Sequence, residues 1–125
     1  MPHKILIVED NENNRILLWD LLSFHGHEVS VASDGQEGVD LARKLMPDLI
    51  LMDIQMPGMD GMTAAGILKE DPVTSGLKII ALTSFAMQGD QEKFLAAGFD
   101  GYLSKPISTR ELPSLVKQWL EAEQL

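Results

Sequence analysis

The sequence predicts an α/β fold, a doubly wound parallel sheet of five strands with five helices. Three short runs are continuously apolar, which is typical of parallel strands buried on both faces. Segments with helical periodicity separate the predicted strands along the whole chain, and strict strand–helix alternation favours a parallel sheet with right-handed crossovers. The chain has 125 residues, the size of one domain.

The strand patterns in the sequence differ in clarity, and this difference indicates where each strand lies in the sheet. The interior strands are residues 5–8, 49–52 and 79–82, which contain only apolar side chains. The segment 28–32 alternates polar and apolar residues and the segment 101–104 is brief, so we expect both at the edges. Three interior and two edge strands fit the flavodoxin-like strand order 2-1-3-4-5.

Five segments between and after the strands show helical spacing of apolar side chains. Ser108 and Glu111 fit a capping box at the start of the last helix. Pro113 then falls inside its first turns, so we expect this helix to begin late or irregularly. The predicted helices are residues 13–24, 36–45, 62–69, 90–97 and 109–122.

Composition excludes several classes of function. The chain has 10 basic and 19 acidic residues, a formal net charge of -9; such a field repels nucleic-acid phosphates and anionic membranes, so we expect neither as a partner. Cysteine is absent, which excludes disulfides and thiolate metal sites. The apolar runs are too short to span a bilayer or to form a signal peptide, and we expect a cytoplasmic protein.

Polar and charged side chains follow four of the predicted strands, at the edge where open parallel sheets bind ligands. They are Glu9 and Asp10 after the first strand, Asp53 after the third, Thr83 and Ser84 after the fourth, and Lys105 after the fifth. The packing of a core does not require these residue types at strand ends. Their joint occurrence therefore predicts a functional site at this edge.

The three carboxylates predict a cation. Two unit charges about 4 Å apart repel by roughly 4 kcal/mol at an effective dielectric constant near 20, so either one carboxyl keeps its proton or a cation holds the group together. Oxygen ligands without nearby His or Cys favour Mg²⁺ over zinc. A carboxylate beside a metal ion, an ammonium and a hydroxyl is arranged to receive a phosphoryl group.

Four groups of residues arrive in a distinctive order: VEDN at 8–11, LMDIQMPGMDG at 51–61, TS at 83–84 and YLSKP at 102–106. In order and spacing they resemble the receiver domain of two-component response regulators, over the whole chain. The stretch SFAMQGD at 84–90 and the lack of an output domain resemble the small single-domain regulators of the DivK kind. We therefore expect one receiver domain over residues 1–125.

The resemblance implies roles for the acidic residues. Asp53 would accept a phosphoryl group from a histidine kinase or a histidine phosphotransfer protein, becoming an aspartyl phosphate. Glu9, Asp10 and Asp53 would hold Mg²⁺, with Mn²⁺ as an alternative ion, and the backbone carbonyl of Gln55 would complete the protein ligands.

The resemblance also implies a switch. Lys105 would pair with the phosphoryl group, and its bond to Pro106 is expected to be cis, a state found essentially only before proline. Thr83, next to Ser84, would hydrogen-bond to a phosphoryl oxygen and draw its loop inward. Tyr102 would then turn from exposed to buried and change a protein-binding surface.

The expected function is a phosphorylation-dependent signalling switch of a two-component system or phosphorelay. Such a protein is not an enzyme acting on other molecules; it is expected to be a monomer, with phosphorylation-dependent dimerisation left open, and to signal through an unknown downstream protein. One alternative is a receiver that binds its partner constitutively, without phosphorylation. A haloacid-dehalogenase-type phosphatase would need a second Asp where Gln55 stands. A flavodoxin-like cofactor carrier would place phosphate beside residues 9–12, whose carboxylates would repel it.

Overall fold

In the computed structural model, which describes residues 3–84 and 90–122, five parallel strands form one sheet of order β2-β1-β3-β4-β5. The predicted fold and strand order are confirmed, and the two weaker strands lie at the edges. The strands are β1 Lys4–Val8, β2 Glu28–Ala32, β3 Leu49–Asp53, β4 Ile79–Thr83 and β5 Gly101–Ser104.

Five helices connect and follow these strands. The first three begin after a side-chain cap: Asn11, Asp34 and Asp60 each accept a hydrogen bond from the backbone N–H three residues further on. Asn and Asp are favoured at this position because their side-chain oxygens satisfy a backbone N–H that has no partner within the helix. The helices are α1 Glu12–Phe24, α2 Gly35–Leu45, α3 Gly61–Glu70, α4 Asp90–Ala96 and α5 Leu112–Glu121.

The helices cover both faces of the sheet. Leu6 and Val8 of β1 belong to the core on one face, which α2, α3 and α4 cover. Ile5 and Ile7 point to the opposite face and pack with apolar side chains of α1 and α5. Because successive residues of a strand face opposite sides, the continuously apolar runs fill two cores at once.

The start of α5 differs from the helical span in the sequence prediction. The helix begins at Leu112, three residues after the predicted start, and residues 109–111 form a turn. Ser108 Oγ accepts a hydrogen bond from the Glu111 backbone N–H at 3.3 Å, but it caps this turn and the prediction that it caps the helix is wrong. Pro113 lies in the first positions of α5, where an N–H has no intrahelical acceptor. The expected irregular start is thereby confirmed.

Within the described part of the chain, none of the helices has both the length and the apolar character needed to cross a bilayer. Residues 85–89, most of the stretch that suggested the DivK likeness, lie outside the described residues.

Candidate functional site

The carboxyl ends of β1, β3, β4 and β5 bring the predicted site residues to one edge of the sheet. Val8 of β1 pairs with Met52 of β3, so Glu9 and Asp53, the next residues of each chain segment, are neighbours. On the other side of β3, the Lys105 backbone N–H donates to the Thr83 carbonyl oxygen at 2.8 Å. The parallel register therefore delivers acids, a hydroxyl and an ammonium to the same place.

Three carboxylates form a cluster at this edge. One oxygen from each of Glu9, Asp10 and Asp53 lies within 4.8 Å of the other two. Glu9 is fully buried and Asp53 is only 3% exposed, whereas Asp10 is exposed. Two charges are thus held inside the protein and the third lies at the opening to solvent.

Lys105 neutralises part of this charge. Its Nζ lies 2.8 Å from Glu9 Oε2 and 3.0 Å from Asp53 Oδ2, and the Lys105–Pro106 peptide bond is cis, as expected from the sequence. Glu9 Oε2 is buried, and among the described residues it accepts no hydrogen bond of good geometry, so the Lys105 ammonium is its ionic contact. One ammonium therefore serves two buried carboxylates.

Burial and ion pairing shift the pKa values of Asp53 and Lys105. Burial raises the pKa of Asp53 above its usual value, and contact with Glu9 raises it further, against the opposing effects of Lys105 and the Gln55 backbone N–H. For Lys105, burial lowers the pKa, but the close contacts with the negatively charged Glu9 and Asp53 outweigh this effect and the pKa is raised. The Lys105 ammonium is therefore firmly protonated, and the Asp53 carboxylate is easier to protonate than an ordinary Asp.

The backbone around the cluster is held by further hydrogen bonds. The Asn11 N–H donates to Glu9 Oε1 at 3.2 Å, and the Gln55 N–H donates to Asp53 Oδ1 at 3.1 Å. Arg15 Nη1 donates to the carbonyl oxygens of Glu9 and Asp10 at 2.9 and 3.0 Å. Sequence reasoning missed Arg15; its only sequence mark is a basic residue one turn into α1, just after the acidic pair.

Gly61 allows the start of α3 to approach the backbone of Asp53 closely. Its N–H donates to the Ile54 carbonyl oxygen at 3.0 Å, and a Cβ at this position would lie 2.2 Å from the Asp53 carbonyl oxygen. Any side chain would force the start of α3 away from the end of β3. The glycine therefore helps to define where Asp53 stands.

The remaining predicted site residues lie on or just after β3, β4 and β5. Thr83 is buried as the last residue of β4, and Ser84 and Gln55 are exposed. Tyr102 is half-buried on β5, and its ring centroid lies 6.1 Å from that of Phe94 on α4. Tyr102 thus stands in contact with α4 rather than within the acidic cluster.

The donor set fits a hard divalent cation. All three converging side chains offer carboxylate oxygens, the ligands that Mg²⁺ and Mn²⁺ accept, and Mg²⁺ is commonly held by few carboxylates with water completing its shell. The exposed position of Asp10 leaves one side of the cluster open to solvent. Glu9 Oε2 is buried and has the Lys105 ammonium as its ionic contact, so it is an anionic oxygen inside the cluster.

Comparisons with known proteins agree with this geometry. Residues 5–117 match the family model described as response regulator receiver domain. The polar-differentiation response regulator DivK of Brucella anthropi is 43% identical over 120 residues, covering 96% of this chain and 98% of that protein.

Two solved structures are similar over nearly the whole chain. The receiver domain of a sensor histidine kinase from Pseudomonas aeruginosa, with a magnesium ion coordinated in its active site cleft, superposes with a TM-score of 0.88 at 35% identity, covering 98% of this chain and 100% of that one. The receiver domain of a Saccharomyces cerevisiae response regulator, crystallised with a histidine phosphotransfer signalling protein, gives 0.87 at 31% identity, with 94% and 88% covered.

Proposed function

Since the chain belongs to the family of response regulator receiver domains, we propose that it is a phosphorylation-dependent switch in which Asp53 accepts the phosphoryl group. The observation that supports this most is the convergence of Glu9, Asp10 and Asp53 with the Lys105 ammonium at one sheet edge. A buried carboxylate already facing a fixed cation is placed to take up a group that brings more negative charge.

The chemical step is a transfer from nitrogen to oxygen. A carboxylate oxygen of Asp53 forms a bond to the phosphorus of a phosphohistidine, and the P–N bond breaks with its electron pair going to the imidazole nitrogen. The product is an acyl phosphate on Asp53. Lys105, 3.0 Å from Asp53 Oδ2, lies where it can pair with an oxygen of the bound phosphoryl group.

The proposed ligands of Mg²⁺, or of Mn²⁺ in its place, are the carboxylates of Glu9, Asp10 and Asp53 and the backbone carbonyl of Gln55. When bound, the ion supplies positive charge against the phosphoryl oxygens as they approach the carboxylates. Lys105 contacts both Glu9 and Asp53, so the chain's own residues preorganise the site.

Phosphorylation replaces the single negative charge of the Asp53 carboxylate with about two on the phosphoryl oxygens, and Thr83 and Ser84 are the proposed first residues to respond. Thr83 stands at the end of β4, one strand from Asp53, and its hydroxyl is the proposed donor to a phosphoryl oxygen. Tyr102 pairs with Ala81 of the same strand and contacts Phe94 of α4. A shift at the end of β4 can thus reach the surface formed by α4 and β5.

The proposed partners follow from this chemistry. A histidine kinase or histidine phosphotransfer protein supplies the phosphoryl group, and a downstream protein recognises the changed surface. We propose a cytoplasmic receiver domain over residues 1–125, monomeric before phosphorylation, that accepts a phosphoryl group and loses it slowly by itself without acting as an enzyme on other molecules.

The experiment that tests a switch uses beryllofluoride, which mimics a phosphoryl group on a carboxylate. With Mg²⁺, we expect backbone amide shifts to change around Asp53 and also at Tyr102. Asp53→Asn should abolish both changes, and Asp40→Asn, an exposed acid on α2, should abolish neither. Binding at Asp53 that leaves the amides of β5 and α4 unmoved would contradict the switch and favour a receiver that binds constitutively.

A further inference from the structure

Two carbonyl groups in the acidic segment lie outside regular secondary structure. Glu9 and Asp10 come after the last residue of β1, and the first carbonyl used by α1 is that of Asn11, which accepts from the Arg15 N–H at 3.0 Å. The Glu9 carbonyl oxygen, whose surroundings are partly buried, therefore needs a donor from elsewhere, because backbone polar groups near a protein interior are almost always paired. The Asp10 carbonyl oxygen lies closer to solvent.

Arg15 provides a single donor group for both. Its Nη1 lies 2.9 Å from the Glu9 carbonyl oxygen and 3.0 Å from the Asp10 carbonyl oxygen. Long side chains of a helix point back toward its N-terminus, so Arg15 reaches the segment that precedes its own helix. Two consecutive peptide units are thereby tied to the first turns of α1.

We propose that Arg15 is a positioning residue for the metal site, because it holds the backbone that carries the carboxylates of Glu9 and Asp10. The inference rests on the proposed function, since it concerns the same Mg²⁺ site. The Glu9 side chain has contacts of its own with Lys105 and the Asn11 N–H, whereas the Asp10 side chain is exposed. Control of the Asp10 carboxylate therefore depends more on the position of its backbone.

The positive charge of Arg15 and its positioning of the backbone would have opposite effects on Mg²⁺ affinity. A positive side chain beside a cation site repels the ion, so if only its charge mattered, removing it would tighten Mg²⁺ binding. If Arg15 positions the ligands, removing it weakens binding, as losing the partners that orient metal ligands does. The sign of the change therefore separates the two roles.

The test measures Mg²⁺ affinity by calorimetry and by amide shifts of residues 9–11 in the full chain. We expect Arg15→Gln to weaken Mg²⁺ binding by about 10- to 100-fold. Arg15→Lys should restore part of the affinity, because its one cationic nitrogen can donate to both carbonyls. The matched control is Arg43→Gln, which removes an exposed arginine paired with Asp71 between α2 and the end of α3, and it should bind Mg²⁺ as the wild type does.

A second readout does not depend on the ion. In Mg²⁺-free protein, amide exchange at Asn11 should be faster in Arg15→Gln than in Arg43→Gln, while urea unfolding shows both variants folded. Unchanged or tighter Mg²⁺ binding by folded Arg15→Gln would overturn the positioning role. Failure of the proposed site itself looks different: the wild type would not bind Mg²⁺, or Asp53→Asn would bind it equally well.

Discussion

Lys105 Nζ lies 3.0 Å from Asp53 Oδ2, and the same ammonium lies 2.8 Å from Glu9 Oε2. The lysine comes from the loop after β5 and the two acids come from the ends of β3 and β1, so the contact closes the site across the sheet edge. All three side chains are largely buried. The pocket is therefore built around one cation shared by two acids.

Removing that cation should cost stability that a metal ion can restore. We expect Lys105→Met to lower the free energy of unfolding in Mg²⁺-free buffer by about 3–5 kcal/mol, the usual effect of breaking a buried ion pair. Because a bound dication supplies the missing positive charge, added Mg²⁺ should stabilise Lys105→Met more than the wild type. Urea unfolding with and without Mg²⁺ measures both effects.

Lys117→Met is the control for this comparison, since Lys117 is exposed on α5. Surface substitutions of this kind usually change stability by less than about 0.5 kcal/mol. If Lys105→Met and Lys117→Met unfolded at the same urea concentration, the shared-cation interpretation of the pocket would be wrong.

Gly61 should not tolerate a methyl group. A Cβ there would lie 2.2 Å from the Asp53 carbonyl oxygen, so we expect Gly61→Ala to destabilise the protein and to weaken Mg²⁺ binding by displacing Asp53. Gly66→Ala in the same helix meets no atom within 4 Å and should stabilise by about 0.5–1 kcal/mol, because alanine is the better helix former. Thermal unfolding and Mg²⁺ titration of both variants check this; a Gly61→Ala protein as stable as Gly66→Ala would contradict it.

Mg²⁺ affinity should depend on pH through Asp53. Burial raises the pKa of Asp53 above 3.8, and contact with Glu9 raises it further. Protons therefore compete with the ion for Asp53 at a higher pH than they would for an ordinary carboxyl. We expect the affinity to fall as the pH is lowered through this raised pKa. Calorimetric titrations at a series of pH values measure the effect, and a fall in affinity centred at or below pH 3.8 would contradict it.

The raised pKa of Asp53 also affects the stability of the metal-free protein. The folded state binds the Asp53 proton more tightly than the unfolded chain, so the stabilising contribution of this proton is present at low pH and is lost as the pH rises through the folded pKa. We expect Asp53→Asn to remove this component of the pH dependence and to be more stable than wild type at neutral pH without Mg²⁺. Chemical unfolding across pH tests it, and a destabilised Asp53→Asn protein at neutral pH would count against it.

The interior of the fold was predictable because burial on both faces requires apolar side chains along a whole strand. Residues 5–8 and 79–82 carry that requirement. Which apolar side chains of α1 are buried was less predictable: Leu17 and Leu18 are adjacent leucines, yet Leu18 is buried and Leu17 is 44% exposed. Adjacent residues point about 100° apart on a helix, and only the packed sheet determines which of them lies inside.

The candidate site was predictable as a set of residues but not in its contacts. Asp53 and Lys105 are notable in sequence because core packing does not require charged residues at strand ends. Their distance, the full burial of Glu9 and the exposure of Asp10 depend on backbone direction after β1, which composition does not encode. The reach of Arg15 to two carbonyl oxygens likewise depends on a side-chain direction that its neighbours in sequence do not reveal.

The most direct measurement of the central claim is phosphorylation of the purified protein by acetyl phosphate, followed by intact mass and peptide mapping. We expect one phosphoryl group per chain, on the peptide that contains Asp53, formed only with Mg²⁺ or Mn²⁺ and absent from Asp53→Asn. Labelling that persists in Asp53→Asn, or that is equally rapid in the presence of a chelator, would contradict the account.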